Sequence, residues 1–345
     1  MRFFPVLLLI VVAQTSVLAQ RHYICYYTAA APVIDGKGEE AVWQRAPWTE
    51  DFVDILGDRL PKPPLVTRMK MLWDSVNLYL YAELEEPNLW GTLTQHDAVI
   101  YHDNDFEVFI DPDDDTQNYF ELEINSLGTE MDLFLPKPYR NGGRPLLSWD
   151  AQGLKSAVHT RGTMNRPGDK DQGWSVEMAI PLKSVHFWGD KPTKDGDRWR
   201  INFSRVEWNL AIKDGKYSPQ TDSNGRRKPE HNWVWAPQGA INMHMPEMWG
   251  YLQFSTHAGG GDTVAFAPPA DERERSYLWQ VYYRQQAYRK THGRYAVSGQ
   301  ELGMTGDGSG YDLKIEGLTR QFLATIGELS IDQDGNISVR QEVAR

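Results

Sequence analysis

The sequence predicts a mainly β protein, an antiparallel β-sandwich followed by a small helix-plus-sheet unit. Two observations carry that reading. Between Pro32 and Phe254, apolar and polar residues alternate with period two, and turn residues punctuate the runs. Past Thr256 the chain turns rich in Gly and Pro, and the apolar spacing behind that stretch becomes helical.

In chain order, Arg2, the apolar run Val6 to Ala13 and the small-x-small step Val17-Leu18-Ala19 form a signal-peptide pattern over 1–19, with cleavage expected after Ala19. Cys25 lacks the Leu-small-small run of a lipoprotein and, as the one cysteine, cannot form an internal disulfide. No later stretch is apolar enough to span a bilayer, so the expected location is secreted or periplasmic. Glu39 to Trp43 reads as a helical turn. Thr67–Trp73 and Leu78–Leu84 flank Asp74-Ser75 as a hairpin, and Phe106–Asp111 and Tyr119–Asn125 form a second across an acidic loop. Trp174–Pro181 and Trp199–Val206 are two further strands. The sandwich is expected over 32–255 and a linker, carrying Gly259-Gly260-Gly261 and Pro268-Pro269, over 256–270. The unit at 271–345 should open with a capping box of Asp271 and Glu274, followed by a helix bearing Leu278, Val281, Tyr282 and Tyr288. Gly293 should stop that helix, and a hairpin should close around Asp334-Gly335. A unit this small is marginal alone and is expected to dock on the sandwich.

Composition narrows the partners. The net charge of −11, about −12 once Arg2 is removed with the leader, argues against nucleic acid, whose phosphates would be repelled. The chain carries 13 Trp and 16 Tyr, more than a sandwich core of this size requires. Such rings stack on the apolar faces of sugars while offering a polar handle, although most aromatics in any protein are core.

Glu121, Glu123 and Asn125 fall at i, i+2 and i+4, so they share one face of a strand whose other face carries Phe120, Leu122 and Ile124. Glu107 likewise faces away from Phe106 and Val108. These four side chains are candidates to bind hydroxyl groups. The alternative is an ordinary solvated face whose acids pair across strands with Arg200 and Arg205. Asp111, Asp113 and Asp115 alternate in a loop and could ligate calcium through oxygen. The loop is no EF-hand, since Thr116 and Leu122 stand where Gly and Glu are required.

The blocks PVIDGKGEEAVWQRAPW, MKMLWDSVNLYLYAEL, DNDFEVFIDPD, GWSVEMAIPLKSV and GDRWRINFSRVEW together resemble family 9 carbohydrate-binding modules, in the order that family shows. The resemblance covers Pro32 to Phe254 and implies a sugar-binding sandwich that works beside glycan-degrading enzymes and carries calcium. It implies that two Trp rings clasp a sugar. Trp90 is the candidate ahead of the DNDFEVF block, and Trp233 or Trp235 the candidate in a late loop. Glu107 matches the family's acidic strand residue, whereas Glu121 and Glu123 stand where members with known sugar sites carry Arg and Asn.

The expected function is therefore non-catalytic binding of an oligo- or polysaccharide in support of its breakdown. Three rivals remain. Glu107 with Glu121 or Glu123 could serve a glycoside hydrolase. Met243, His244 and Met245 could ligate haem or a soft metal. The acidic, aromatic face could hold another protein. Ser-His-Asp chemistry, a P-loop and a dinucleotide fingerprint find no support.

Overall fold

The computed structural model describes residues 20–186, 192–260, 263–306 and 308–339. The leader pattern of residues 1–19 lies outside the described residues. Among the described residues, fourteen strands build the large region. They are β1 (His22–Tyr27), β2 (Val53–Asp54), β3 (Thr67–Trp73), β4 (Asn77–Glu85), β5 (Asp105–Asp111), β6 (Tyr119–Asn125) and β7 (Glu130–Leu135). Then come β8 (Lys155–Arg161), β9 (Gly173–Pro181), β10 (Arg198–Glu207), the short ribbon β11 (Leu210–Lys213) and β12 (Lys216–Pro219), β13 (His231–Val234) and β14 (Gly250–Ser255).

Both predicted hairpins form, as β3–β4 and β5–β6, and the predicted helical turn is a 3-10 turn over Ala41–Arg45. The Asp74 carboxylate sets the first hairpin's turn by accepting the Val76 and Asn77 N–H groups, both at 2.7 Å. The strand order is β7-β6-β5-β10-β14-β1-β3-β4-β9-β8, with β13 beside β10 and β2 beside β13. Every pairing on this path is antiparallel except those of β1, which runs parallel to β14 on one side and β3 on the other. The two leaves of the sandwich are thus halves of one curled sheet, joined along β1. This strand lies ahead of Pro32, outside the run of alternation that predicts the sandwich.

Pleating sorts the side chains. Phe106, Val108 and Ile110 of β5 and Phe120, Leu122 and Ile124 of β6 bury inward against Leu80, Val176 and Met178 of the opposite leaf. Each such side chain contributes about 1.5–3 kcal/mol by leaving water. The alternate residues of β5 and β6 face outward, and these build the site.

Behind β14 comes α1 (Glu272–His292), then a four-stranded antiparallel sheet of β15 (Lys314–Gly317), β16 (Phe322–Ile326), β17 (Leu329–Asp332) and β18 (Ile337–Val339). Leu278, Val281 and Tyr282 of α1 pack on Phe322, Ala324 and Ile331 as a second core. Gly293 ends α1 in the left-handed region at φ +70°, its N–H reaching the Arg289 carbonyl at 2.9 Å. The capping box does not form. Asp271 precedes the helix, but its carboxylate instead accepts from Arg275 Nε at 2.9 Å, one turn on. Between β14 and α1 the chain lies along the sandwich. Gln253 bonds the backbone of Ala265 and Ala267, and Phe266 stacks on His22 at 4.4 Å. Among the described residues, no helix is long and apolar enough to cross a membrane.

Candidate functional site

The β5–β6–β7 register places Glu107 opposite Glu123 and Phe109 opposite Glu121, while Met131 and Leu133 flank the two β6 glutamates. That outward strip is the floor of a cavity of about 500 Å³. Its walls come from loops. Tyr101 stands on the 3-10 turn Ile100–His102 before β5, Tyr139 on the turn Tyr139–Asn141 after β7, and Ile241, Met243 and His244 on the segment between β13 and β14. Tyr101 and Tyr139 are 41% and 43% exposed, so part of each ring remains free to meet a ligand.

Three of the predicted binding residues therefore meet in one cavity: Glu107, Glu121 and Glu123. Asn125 lies on the same face but is spent on structure. Its amide donates to the Leu93 carbonyl at 2.9 Å and to Asp103 at 3.1 Å, and its oxygen accepts the Leu127 and Thr129 N–H groups. With those bonds made and its side chain fully buried, it has no capacity left for a sugar hydroxyl.

The three tryptophans expected to stack are likewise displaced from that role. Trp235 is fully buried in the core against Phe203, and its ring lies so close to Gly250 that a Cβ there would stand 2.4 Å from it. Trp233 is buried between His231 and the Arg205 guanidinium, 5.2 Å from its ring centre. Trp90 packs against Val206 and Trp208. Their faces are covered by protein, and none lines the cavity. Tyr101 takes the position expected of Trp90. It stands two residues ahead of the Asp103–Phe109 run, where a search confined to tryptophan passes over it.

The acids lack the counter-ions that the alternative of an ordinary paired face requires. Arg200 pairs with Asp114 at 2.6 Å and Glu272 at 3.3 Å, and Arg205 pairs with Glu86 at 2.9 Å and Glu207 at 2.8 Å. Among the described residues, no Lys, Arg or His pairs with Glu107, Glu121, Glu123 or the neighbouring Asp105. Burial pushes the Glu107 carboxyl up to about 7. Burial, with the charge of Glu107, pushes Glu121 up to about 8. Glu123 and Asp105 are raised well above the carboxylate range, first by burial and then by Glu107. Glu123 accepts the Tyr101 N–H at 3.1 Å, which ties the floor to a wall. His244 shares a 3.0 Å hydrogen bond between Nδ1 and the Tyr119 hydroxyl and meets Tyr139 edge-on. Burial, helped by the charge of Arg140, lowers its pKa to about 4, so it is neutral at neutral pH. Met243 shares the wall, whereas Met245 is buried off the cavity, so the three do not converge as a ligand set.

Among the described residues, acids gather at three places where a metal ion could be coordinated, one of them together with His96. One is the predicted loop, where Asp111, Asp113 and Asp115 bring one oxygen each within 4.8 Å of one another. Asp111 accepts the Asp114 and Thr116 N–H groups at 3.1 and 2.9 Å, which curls the loop around it. Burial and the charge of Asp113 push Asp115 up to about 6, an unfavourable gathering that a hard cation would relieve. These residues fit calcium in chemistry and spacing.

A sandwich with a ligand-sized cavity on the outward face of one leaf, floored by carboxylates and walled by aromatic rings, defines a β-type small-ligand-binding module. Residues 34–207, half of the chain, match the family described as carbohydrate family 9 binding domain-like. The chain belongs to that family. It is 24% identical over 202 residues to the exoglucanase XynX of Acetivibrio thermocellus, covering 59% of this chain and 14% of that protein. It is 29% identical over 154 residues to endo-1,4-beta-xylanase C of Paenibacillus barcinonensis, covering 45% of this chain and 12% of that protein. The chain thus spans about an eighth of the length of these curated relatives. Among solved structures, a putative carbohydrate-binding protein from Bacteroides uniformis aligns at TM-score 0.51 and 14% identity, over 69% of this chain and all of that one. That likeness supports the fold.

Proposed function

We propose that the chain is a non-catalytic carbohydrate-binding module. In this reading the cavity above β5–β6–β7 takes an oligo- or polysaccharide segment. Tyr101 and Tyr139 stack on the sugar ring, and Glu107, Glu121 and Glu123 accept its hydroxyl protons. The observation that carries the reading is the meeting of three buried glutamates and two half-exposed tyrosine rings in one cavity. Family membership supports it, as do the relatives named as an exoglucanase and a xylanase. The module is then exported, cleaved near Ala19, and works beside enzymes that break down glycans, with calcium held structurally at Asp111, Asp113 and Asp115. A glycan array with wild type and with Tyr101→Ala tests it. Wild-type binding that weakens in the variant supports the reading, and a blank array from folded wild type sinks it.

The raised proton affinities of Glu107 and Glu121 favour one second reading, a glycoside hydrolase in which one acid acts as proton donor. Reducing-end release from the same glycans, abolished in Glu107→Gln, would replace the first reading with this one.

A further inference from the structure

We infer that Asp105, Glu107 and Glu123 hold a hard divalent cation of the calcium class beneath the cavity, with coordination positions left open toward the bound sugar. The cation site stands on its own geometry, and only its bridging to sugar rests on the carbohydrate reading.

The spacing is that of ligands to one ion. Glu107 faces Glu123 across the β5–β6 pair, and Asp105 is two residues before Glu107 on the same face. One carboxylate oxygen from each lies within 4.8 Å of the others. Oxygens bound to a single calcium at about 2.3–2.6 Å stand no more than about 5 Å apart. All three residues are buried, and Asp105 is fully so. Its Oδ1 accepts the Val206 N–H at 3.1 Å, while its Oδ2 has no partner. Glu121 Oε2, beside the cluster, has none either, while Ser204 stands opposite Glu107 across β5–β10 with its hydroxyl near that carboxyl. A buried charge left unpartnered is costly, and so many in one place call for a cation. Among the described residues the protein supplies none.

A sugar amine is the competing occupant, and Asp105 decides against it. Asp105 does not line the cavity, so an amine on a bound sugar stays above it, whereas the three carboxylate oxygens stand within the span of one bare ion. Glu107 and Glu123 do line the cavity, so the ion's free positions face it. Adjacent sugar hydroxyls can replace water at those positions. This site is separate in sequence from the loop of Asp111, Asp113 and Asp115.

The test is calorimetric titration of the chelator-stripped full chain with calcium chloride, in wild type, Asp105→Asn, Glu123→Gln and the loop double variant Asp113→Asn/Asp115→Asn. Asn at 105 can still accept the Val206 N–H, so that variant retains its backbone contact. The expected result is one ion per chain kept by the loop variant, and affinity lowered about 30-fold or more by either substitution in the cluster. Loss of all binding in the loop variant, or unchanged affinity in Asp105→Asn, overturns the site. Should the cluster variants not fold, stoichiometry decides in the loop variant that also carries Asp97→Asn and Asp150→Asn, which removes the third acidic group, beside His96. Titration with cellotriose, xylotriose and glucosamine, with calcium or with EDTA, tests the bridge. A cellotriose or xylotriose affinity that falls about tenfold or more in EDTA supports it. Equal affinity in EDTA overturns the bridge, and glucosamine binding without calcium, joined to no calcium heat, overturns the whole inference. Calcium binding with no sugar response on the array or here removes the carbohydrate reading and leaves the cation site standing.

Discussion

Two acidic regions lie on the outward face of the same leaf, and they are built oppositely. Around Arg200 and Arg140 the buried and half-buried acids meet a cation. Arg200 spans Asp114 and Glu272, and Arg140 holds Glu247 at 2.8 Å, with the Tyr283 hydroxyl donating to the same carboxylate. That region is where α1 docks, and Tyr282 adds a 2.8 Å bond to Asn141 there. A few residues along the same strands, Asp105, Glu107, Glu121 and Glu123 meet none. Paired acids at one end fasten the C-terminal unit, and unpaired acids at the other keep their bonding capacity for something outside the chain.

The contrast is sharpest in the sign of substitution effects. Arg200→Ala leaves Asp114 and Glu272 without their cation, and stability should fall by about 3–5 kcal/mol in urea unfolding. An effect near zero would break the comparison. His244 lies on the boundary, its carbonyl accepting from Arg140 at 3.1 Å while its ring walls the cavity. Its pKa is depressed on folding, so the unfolded chain takes up the proton first as pH falls. Stability should be lost between the ordinary histidine value and about 4. Wild type should lose about 2–3 kcal/mol more than His244→Phe between pH 7 and pH 4 in matched melts. Glu121→Gln should act in the opposite direction to Arg200→Ala. In chelator-stripped protein it should stabilise by about 1–2 kcal/mol, because a buried carboxyl facing Glu107 and Glu123 without a cation is replaced by a neutral amide, while glycan binding weakens. The smallest expected effect is that of Tyr101→Ala, about 1 kcal/mol on glycan affinity by titration, with the melting temperature unchanged.

Much of this contrast was legible in the sequence, and the reasons for the rest are physical. Alternation along β5 and β6 separates Phe106, Val108, Phe120 and Leu122 from Glu107, Glu121 and Glu123, and a hairpin brings the two polar sets together. Alternation cannot tell whether a face is spent on the protein itself. Asn125 follows the same rhythm as Glu123 but ends in a turn that takes up its whole amide. Burial of Trp90, Trp233 and Trp235 depends on distant partners such as Trp208, Arg205 and Gly250, which their local sequence does not reveal. The stacking candidates Tyr101 and Tyr139 lie on short turns with no periodic signature. β1 was hidden for a related reason. HYICYY carries almost no polar alternation because both its faces meet apolar residues, Tyr23 and Cys25 in the main core and Ile24 and Tyr26 beside Trp43 and Leu72. Its partner strands lie far away in the chain.

The position of β1 also dictates an order of assembly. It is the first described strand to leave a ribosome or an export channel, yet its long pairing is with β14, the last strand of the sandwich. Gln20, just ahead of it, bonds Trp249 across 229 residues. A contact of that sequence separation carries a large loop-closure cost and forms slowly. The hairpins β3–β4 and β5–β6 can pair early, but the seam that turns two half-sheets into one waits for nearly the whole large region to emerge. Until then the chain keeps two open sheet edges, so its exposure to proteases and aggregation is set by the time taken to close one strand.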